Sequence, residues 1–180
     1  MKIIKYILIF FGFGLAGTFL ATFFAPDNHV VVHDIQINQP LEQCWDAVFN
    51  PEVLPNWRDN LDTVETLSGQ YDETGFKALF VFSDEKQVSK PVYEVDSVLK
   101  HESATSSILL SDKIRLDTKY EFVAHDSAST VLKVTTILTP KGWLFKVMFS
   151  GSGNGLELKR KAELDNLKKW LENQSPTPIE

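Results

Sequence analysis

Residues 35–57, IQINQPLEQCWDAVFNPEVLPNW, switch from one local pattern to another within a few positions. Ile35 and Ile37 alternate with polar neighbours, which is the period of a half-buried strand. After Pro40, apolar side chains recur every three or four positions, and this spacing predicts one apolar face of a short helix. The members of that face are Leu41, Cys44, Trp45, Val48 and Phe49. The stretch therefore predicts the end of a strand followed directly by an amphipathic helix.

Prolines mark both ends of this helix. Pro40 suits a first helical turn, where the missing N–H has no partner to lose, and we expect Asn38 or Gln39 to be the cap. Pro51 predicts the end of the helix because it disfavours a helical conformation at the residue before it. A second short apolar segment then carries Val53, Leu54 and Trp57. Two small helices with apolar faces thus follow the first strand.

Alternating patterns and short polar turns predict six further strands after Trp57. They cover residues 62–67, 76–82, 91–99, 103–110, 114–123 and 130–138. Connections this short favour antiparallel neighbours, so we expect an α+β fold with an antiparallel sheet of about seven strands. Residues 143–149 start a helical stretch, glycines at 151, 153 and 155 interrupt it, and residues 156–173 predict a long amphipathic helix that lies on the sheet. The glycines could form a flexible gate or simply a helix break.

The N-terminus contains a run of 20 uncharged residues, 6–25. As a helix it would be about 30 Å long, enough to cross a bilayer. We favour an uncleaved anchor over a signal peptide because small residues are missing from the positions that a cleavage site needs. Lys2 and Lys5 precede the run, which predicts a cytoplasmic N-terminus and an extracytoplasmic domain in a single-pass membrane protein. The expected organisation is an anchor at 1–26, a globular domain at 27–173 and a disordered tail at 174–180.

Charge and cysteine content exclude several classes of function. After Pro26 the chain has 16 basic and 24 acidic residues, a net charge of −8, so nucleic acid is not an expected partner. One cysteine and four scattered histidines show no metal-ligand spacing, and no phosphate-binding glycine motif is present; we predict no metal and no cofactor. Cys44 lies on the apolar helix face and is expected to be a small buried hydrophobe.

The chain resembles the START-like, Bet v 1-like superfamily (SRPBCC), often described as polyketide cyclase/dehydrase and lipid transport. The resemblance rests on the pattern I-x-I-N-x-P-x-E-x-x-W beginning at Ile35, on Pro55-Asn56-Trp57 and on the closing amphipathic helix, and it covers nearly all of residues 29–173. The whole chain is similar to family members that carry an apolar N-terminal span before this same pattern. The resemblance implies a helix-grip fold, in which the sheet wraps the long helix, and a cavity for a small hydrophobic or lipid-like ligand. It implies neither a particular ligand nor a reaction.

Strand alternation predicts which side chains face that cavity. Placing the charged residues of each strand outside leaves an inward face that is mainly apolar, with hydroxyl groups as its polar atoms and no carboxylate, Lys or Arg. The candidate ligand-binding residues are Trp57, Phe80, Phe82, Tyr93, Ser97, Thr118, Tyr120, Thr136 and Phe149. The same residues could instead fill a core, since apolar patterning does not distinguish the two.

His33 shares a face with Ile35 and Ile37 and could act as a general base or bind a polar group of the ligand; the alternative is a satisfied or partly exposed histidine without a role. Three hypotheses follow. The first is a membrane-anchored, non-catalytic binding domain for a hydrophobic ligand. The second is a cyclase or dehydratase type of enzyme using His33 and a tyrosine. The third is a protein-interaction module whose cavity has closed; its protein partners are not predicted.

Overall fold

The structure is a computed structural model that describes residues 25–84, 87–149 and 153–174, together with Tyr6 and Gly17. The predicted membrane segment at 6–25 lies outside the described residues except for Tyr6, Gly17 and Ala25, and the predicted tail does so from residue 175 onward. Among the residues that are described, none of the helices has the length and apolar content needed to span a bilayer.

Eight strands form one antiparallel sheet in the described ranges. They are β1 (His29–Ile37), β2 (Leu61–Ser68), β3 (Lys77–Asp84), β4 (Gln87–Ser89), β5 (Val92–Leu99), β6 (Ser103–Ser111), β7 (Ile114–Asp126) and β8 (Ser129–Pro140). The order across the sheet is β1-β8-β7-β6-β5-β3-β2, and β4 pairs with β3 outside this path. The seven strands of the path were predicted. Strand β4 was not, because its three exposed residues are too few to show alternation.

The helices connect and cover the sheet. They are α1 (Leu41–Phe49), a 3-10 helix (Leu54–Asn56), α2 (Trp143–Phe149) and α3 (Gly153–Glu172). Because β1 and β2 are at opposite edges, α1 and the 3-10 helix span the width of the sheet between them. The long helix α3 packs against β1 and α1. An open antiparallel sheet with a long C-terminal helix, as expected for a helix grip, is confirmed.

The N-terminus of α1 differs from the prediction. Pro40 is itself the N-cap, and it makes no side-chain capping hydrogen bond. Gln39 Nε2 instead donates to the carbonyl of Leu171, at 2.9 Å, and the backbone N–H of Asn38 donates to the carboxylate of Glu172, at 3.0 Å. Neither predicted residue caps α1; the side chain of Gln39 and the backbone N–H of Asn38 contact the last turn of α3 instead. The predicted end of α1 at Asn50 is confirmed.

The core lies between α1, α3 and the concave face of the sheet. Rings from α1 meet rings from β7: Trp45 and Phe122 are 5.1 Å apart between centroids, and Phe49 and Tyr120 are 5.4 Å apart. Cys44 is a fully buried free thiol, as predicted. From α3, Leu164, Leu167 and Leu171 complete the core.

Candidate ligand-binding cavity

A cavity of about 540 Å³ lies between the N-terminal half of α3 and one end of the sheet. Volumes of a few hundred to a thousand Å³ are typical of small-molecule sites. Its walls come from the segment after the 3-10 helix, from strands β3, β4, β6, β7 and β8, and from α2 and α3. Solvent-exposed lining residues at the rim include Asp59, Leu110 and Lys159, so the cavity opens to the surface there.

One row of aliphatic side chains forms the sheet wall. Ile108, Leu116 and Leu138 are directly opposite one another on β6, β7 and β8, and all three line the cavity. Side chains opposite one another on antiparallel strands are about 5 Å apart, so the three make a continuous apolar surface. Other apolar lining residues are Phe82, Leu110, Phe149 and Leu156.

The next row of the sheet carries hydroxyl groups. Ser106, Thr118 and Thr136 are paired across the same three strands and are buried. Within the described ranges, Thr136 Oγ1 has no hydrogen-bond partner. Tyr93 is buried close to this row. Burial raises the pKa of its phenol, and the neighbouring Tyr120 raises that pKa further. Its ring stacks on Phe80 at 4.5 Å between centroids. The hydroxyl row lies behind the aliphatic row, in the core.

Three buried charged residues line the opposite side of the cavity. Arg58 is 7 % exposed, Arg160 is 6 % exposed and Glu163 is 8 % exposed. The guanidinium of Arg160 donates to Glu163 Oε2 at 2.7 Å. Charges are rarely buried unless they are paired, because removing them from water costs several kcal/mol each. This cluster is therefore the most chemically distinctive part of the cavity.

Arg58 is surrounded by aromatic rings and by the acid of the cluster. Its guanidinium carbon is 5.6 Å from the centroid of Trp57 and 5.3 Å from that of Phe80, within the range of cation–π attraction. Burial by itself lowers the pKa of Arg58, but Tyr120, Glu163 and Tyr93 together raise it above its ordinary value. The guanidinium is thus positively charged inside the protein.

Three solved structures illustrate what this chain is similar to. A START superfamily protein from Mycobacterium smegmatis has a TM-score of 0.61 at 16% identity, over 81% of this chain and 96% of that one. The Zhui aromatase/cyclase from Streptomyces sp. R1128 has a TM-score of 0.64 at 11% identity, over 82% and 95%. Norcoclaurine synthase from Thalictrum flavum, solved in complex with dopamine and hydroxybenzaldehyde, has a TM-score of 0.60 at 14% identity, over 83% and 90%. The chain has the START-like, Bet v 1-like fold. At these identities the likeness establishes the fold alone, and no family model and no curated protein matches the chain.

Within this START-like fold, two of the predicted ligand-binding residues line the cavity, namely Phe82 and Phe149. Six others are buried in the core: Trp57, Phe80, Tyr93, Thr118, Tyr120 and Thr136. Trp57 Nε1 donates to the carbonyl of Ala47 at 2.8 Å, which holds the 3-10 helix against α1. Tyr93 and Tyr120 influence the cavity through Arg58 rather than by lining it.

Ser97 lies on the exposed face of the sheet, where an inward side chain was predicted. Val95 is opposite Ser106 and Ser97 is opposite Thr105, so β5 has one more residue than β6 at this point. Such a bulge shifts every later side chain to the other face. Ser97 Oγ consequently meets Thr105 Oγ1 at 2.7 Å, and Val98 packs against the core instead.

The START-like cavity is also more charged than the sequence suggested. The prediction of no carboxylate, Lys or Arg concerned the inward faces of the strands; the buried charged residues of the cavity, Arg58, Arg160 and Glu163, come from the segment after the 3-10 helix and from α3, which that prediction did not cover. A signal was available for two of them. Arg160 and Glu163 are four and seven positions after Leu156, on the stripe that continues to Leu164 and Leu167. Arg58 follows Trp57 in an irregular segment and had no such signal.

His33 does not line the cavity among the residues described. Its ring is half-buried against α3, and Nε2 is 3.2 Å from the carbonyl oxygen of Glu157. Across the described ranges, no group of three His, Cys, Asp or Glu side chains is arranged to hold a metal ion.

A second depression, of about 620 Å³, lies outside the grip, between the segment after α1 and strand β2. Its lining residues are half-buried or exposed: Asn50, Pro51, Glu52, Pro55, Asp62, Thr63, Val64, Thr66 and Tyr71. Tyr71 donates to Asp46 Oδ1 at 3.0 Å on its floor. Because its described lining has no buried charge and less apolar surface than the cavity under α3, it is the weaker candidate.

Proposed function

We propose that this protein is a membrane-anchored binding domain that holds a small hydrophobic or lipid-like ligand between α3 and the sheet. The observation that carries the proposal is the cavity of about 540 Å³ with an aliphatic wall of Ile108, Leu116 and Leu138. A mostly apolar concave site with a few polar groups is the usual form of a small-molecule site. Phe82 and Phe149 would enclose the apolar body of the ligand.

Two alternatives receive less support. A protein-interaction module with a closed interior does not agree with a cavity of this volume. A cyclase-type reaction at His33 is not favoured, because His33 faces a backbone carbonyl of α3 and not the cavity. Some proteins of similar structure are named for such reactions, but their identity to this chain is too low to transfer an activity.

The membrane part of the proposal is supported by the position of Asp27. This residue lies two positions after the end of the apolar run, and its carboxylate forms an ion pair with Lys146 of α2. Helix α2 exposes Trp143, Leu144 and Met148, and its last residue, Phe149, lines the cavity. Trp and other apolar side chains beside a lysine are typical of a surface that contacts the bilayer interface. An anchor ending before Asp27 would hold α2 and the cavity rim beside the lipid.

Native mass spectrometry of the full chain in nanodiscs made from a membrane lipid extract tests ligand binding. We expect a non-covalent adduct that survives ejection of the protein and is lost in Leu116→Trp, which fills the cavity. Leu109→Trp is the matched control, since Leu109 is equally apolar but exposed on the neighbouring strand. If Leu116→Trp does not fold, Leu110→Trp at the rim replaces it. The absence of any adduct on wild-type protein, or the same adduct on all variants, would reject the proposal.

The anchor is tested separately by extracting cell membranes with alkaline carbonate. We expect the full chain to stay in the membrane pellet and a chain lacking residues 1–26 to be released. Release of the full chain would reject the anchor without bearing on the cavity.

A further inference from the structure

The buried charges of the cavity do not cancel. Arg58 and Arg160 each carry a positive charge, and Glu163 supplies one negative charge to both. Asp59 and Asp84 also line the cavity, but both are exposed at the rim, as is the cation Lys159. Asp59 there accepts a hydrogen bond from Asn166 at 2.9 Å. Solvent screens such rim charges much more than the buried ones. Counted over the described part of the chain, the interior of the cavity therefore holds one excess positive charge.

The same two arginines have unused hydrogen-bonding capacity. Arg58 Nε and Arg160 Nε are both buried and have no hydrogen-bond partner among the residues that the structure describes. Most buried polar atoms in proteins are satisfied, so an exception at a cavity wall calls for a specific explanation. Glu163 already accepts from Arg160 and leaves these two donors unpaired. Two unpaired N–H donors and one excess positive charge together match a group that is both an acceptor and an anion.

We propose that the ligand is a monoanionic amphipathic molecule, a carboxylic acid on an apolar body, whose carboxylate pairs with Arg58 and Arg160. This inference rests on the proposed function and specifies its ligand class. A carboxylate neutralises the single excess charge and accepts from planar guanidinium groups with good geometry. The apolar body lies against Ile108, Leu116 and Leu138, which form the sheet wall of the same cavity. Charge thus fixes one end of the ligand and apolar contact holds the other.

Paired acids and neutral analogues test this inference on the full chain in nanodiscs, with empty nanodiscs as the blank. Octanoate is compared with 1-octanol, and 2-naphthoate with 2-naphthamide, by isothermal titration calorimetry at pH 8. We expect at least one acid to bind about tenfold or more tightly than its neutral partner, since hydrogen bonds to charged groups contribute about that much. Preference within the octanoate pair indicates an alkyl body, and preference within the naphthoate pair an aromatic one.

Variants test whether Arg58 and Arg160 cause the preference for the acid. Arg58→Gln and Arg160→Gln should each weaken binding of the preferred acid about tenfold and change binding of its neutral analogue by less than about threefold. Lys161→Gln is the matched control, because Lys161 is exposed on α3 and does not line the cavity. If Arg58→Gln does not fold, the carboxylate assignment is tested by comparing binding of the acid and its neutral analogue in Arg160→Gln and in the wild type.

The outcomes separate the two proposals. Equal binding of acid and neutral analogue, or an acid preference that survives both arginine variants, overturns the carboxylate assignment and leaves the hydrophobic cavity intact. A wild-type chain that takes up none of the four probes and shows no lipid adduct overturns both.

Discussion

Arg160 and Glu163, one turn apart on α3, form an ion pair of 2.7 Å although both side chains are buried in the wall of the cavity. The pair is oriented toward the same interior space as Arg58. A buried pair is weak evidence for net stability, because desolvation offsets much of the Coulomb attraction. Removing only one of the two residues is expected to lower stability, since the remaining buried charge then has no counter-ion.

Glu163→Gln should therefore destabilise the fold strongly. The substitution leaves two buried guanidinium groups without an anion, and breaking a buried pair in this way costs about 3–5 kcal/mol. Urea denaturation of the full chain measures the free energy of unfolding. Glu157→Gln, an exposed acid on the same helix, should change it by less than about 0.5 kcal/mol. A loss below about 1 kcal/mol in Glu163→Gln would show that water reaches the cluster freely.

Leu167 and Leu158 make a direct comparison between the two faces of α3. Leu167 is 0% exposed, and Leu158 is 69% exposed. Truncating a buried leucine costs about 2–5 kcal/mol because it removes apolar contact and leaves a void, whereas an exposed one costs about 0.5 kcal/mol or less. We expect Leu167→Ala to lower the free energy of unfolding by at least about 2 kcal/mol and Leu158→Ala to leave it nearly unchanged. Similar losses in both variants would mean that α3 does not pack as described.

Gln39 connects the start of α1 to the end of α3. Its side-chain amide donates to the carbonyl of Leu171, and its own carbonyl accepts from Thr130 Oγ1 at 3.0 Å. In Gln39→Ala the carbonyl of Leu171 keeps the backbone N–H of Gln174, at 3.2 Å, so the expected loss is that of one hydrogen bond, about 0.5–1.5 kcal/mol. Thermal and urea unfolding should both report the loss. Gln36→Ala, an exposed position on β1, serves as the control; an equal effect there would assign the change to the strand and not to the contact with α3.

Long, regular elements were predictable because many residues repeat one pattern. On β7, charges at every second position placed Leu116, Thr118, Tyr120 and Phe122 inward, and the structure agrees. On β5 the same reasoning failed after Val95, since a single extra residue reverses the faces and local sequence does not reveal it. The cavity was harder still. No role was predicted for Arg160 or Glu163, because a helix stripe shows where a side chain points but not whether a partner and a cavity are there to receive a charge.

Ionisation of Cys44 predicts how the stability of the protein depends on pH. The chain has one cysteine, so a change in thiol ionisation can be assigned to this residue. Burial raises the pKa of the thiol to about 11, and a hydrogen bond with Thr130 only partly opposes this. The unfolded chain has a cysteine pKa of about 8.5, so its thiol ionises first as the pH rises. Stability that is fully present below about pH 8.5 should then decrease progressively up to about pH 11, by about 3 kcal/mol over the window. The difference in unfolding free energy between wild type and Cys44→Ala removes the contribution of other titrating groups.

Native protein should also resist alkylation by iodoacetamide at pH 8 and react once unfolded in urea. Rapid labelling of the native protein would contradict a buried thiol at this position. So would a difference in unfolding free energy that stays constant between pH 8 and 11.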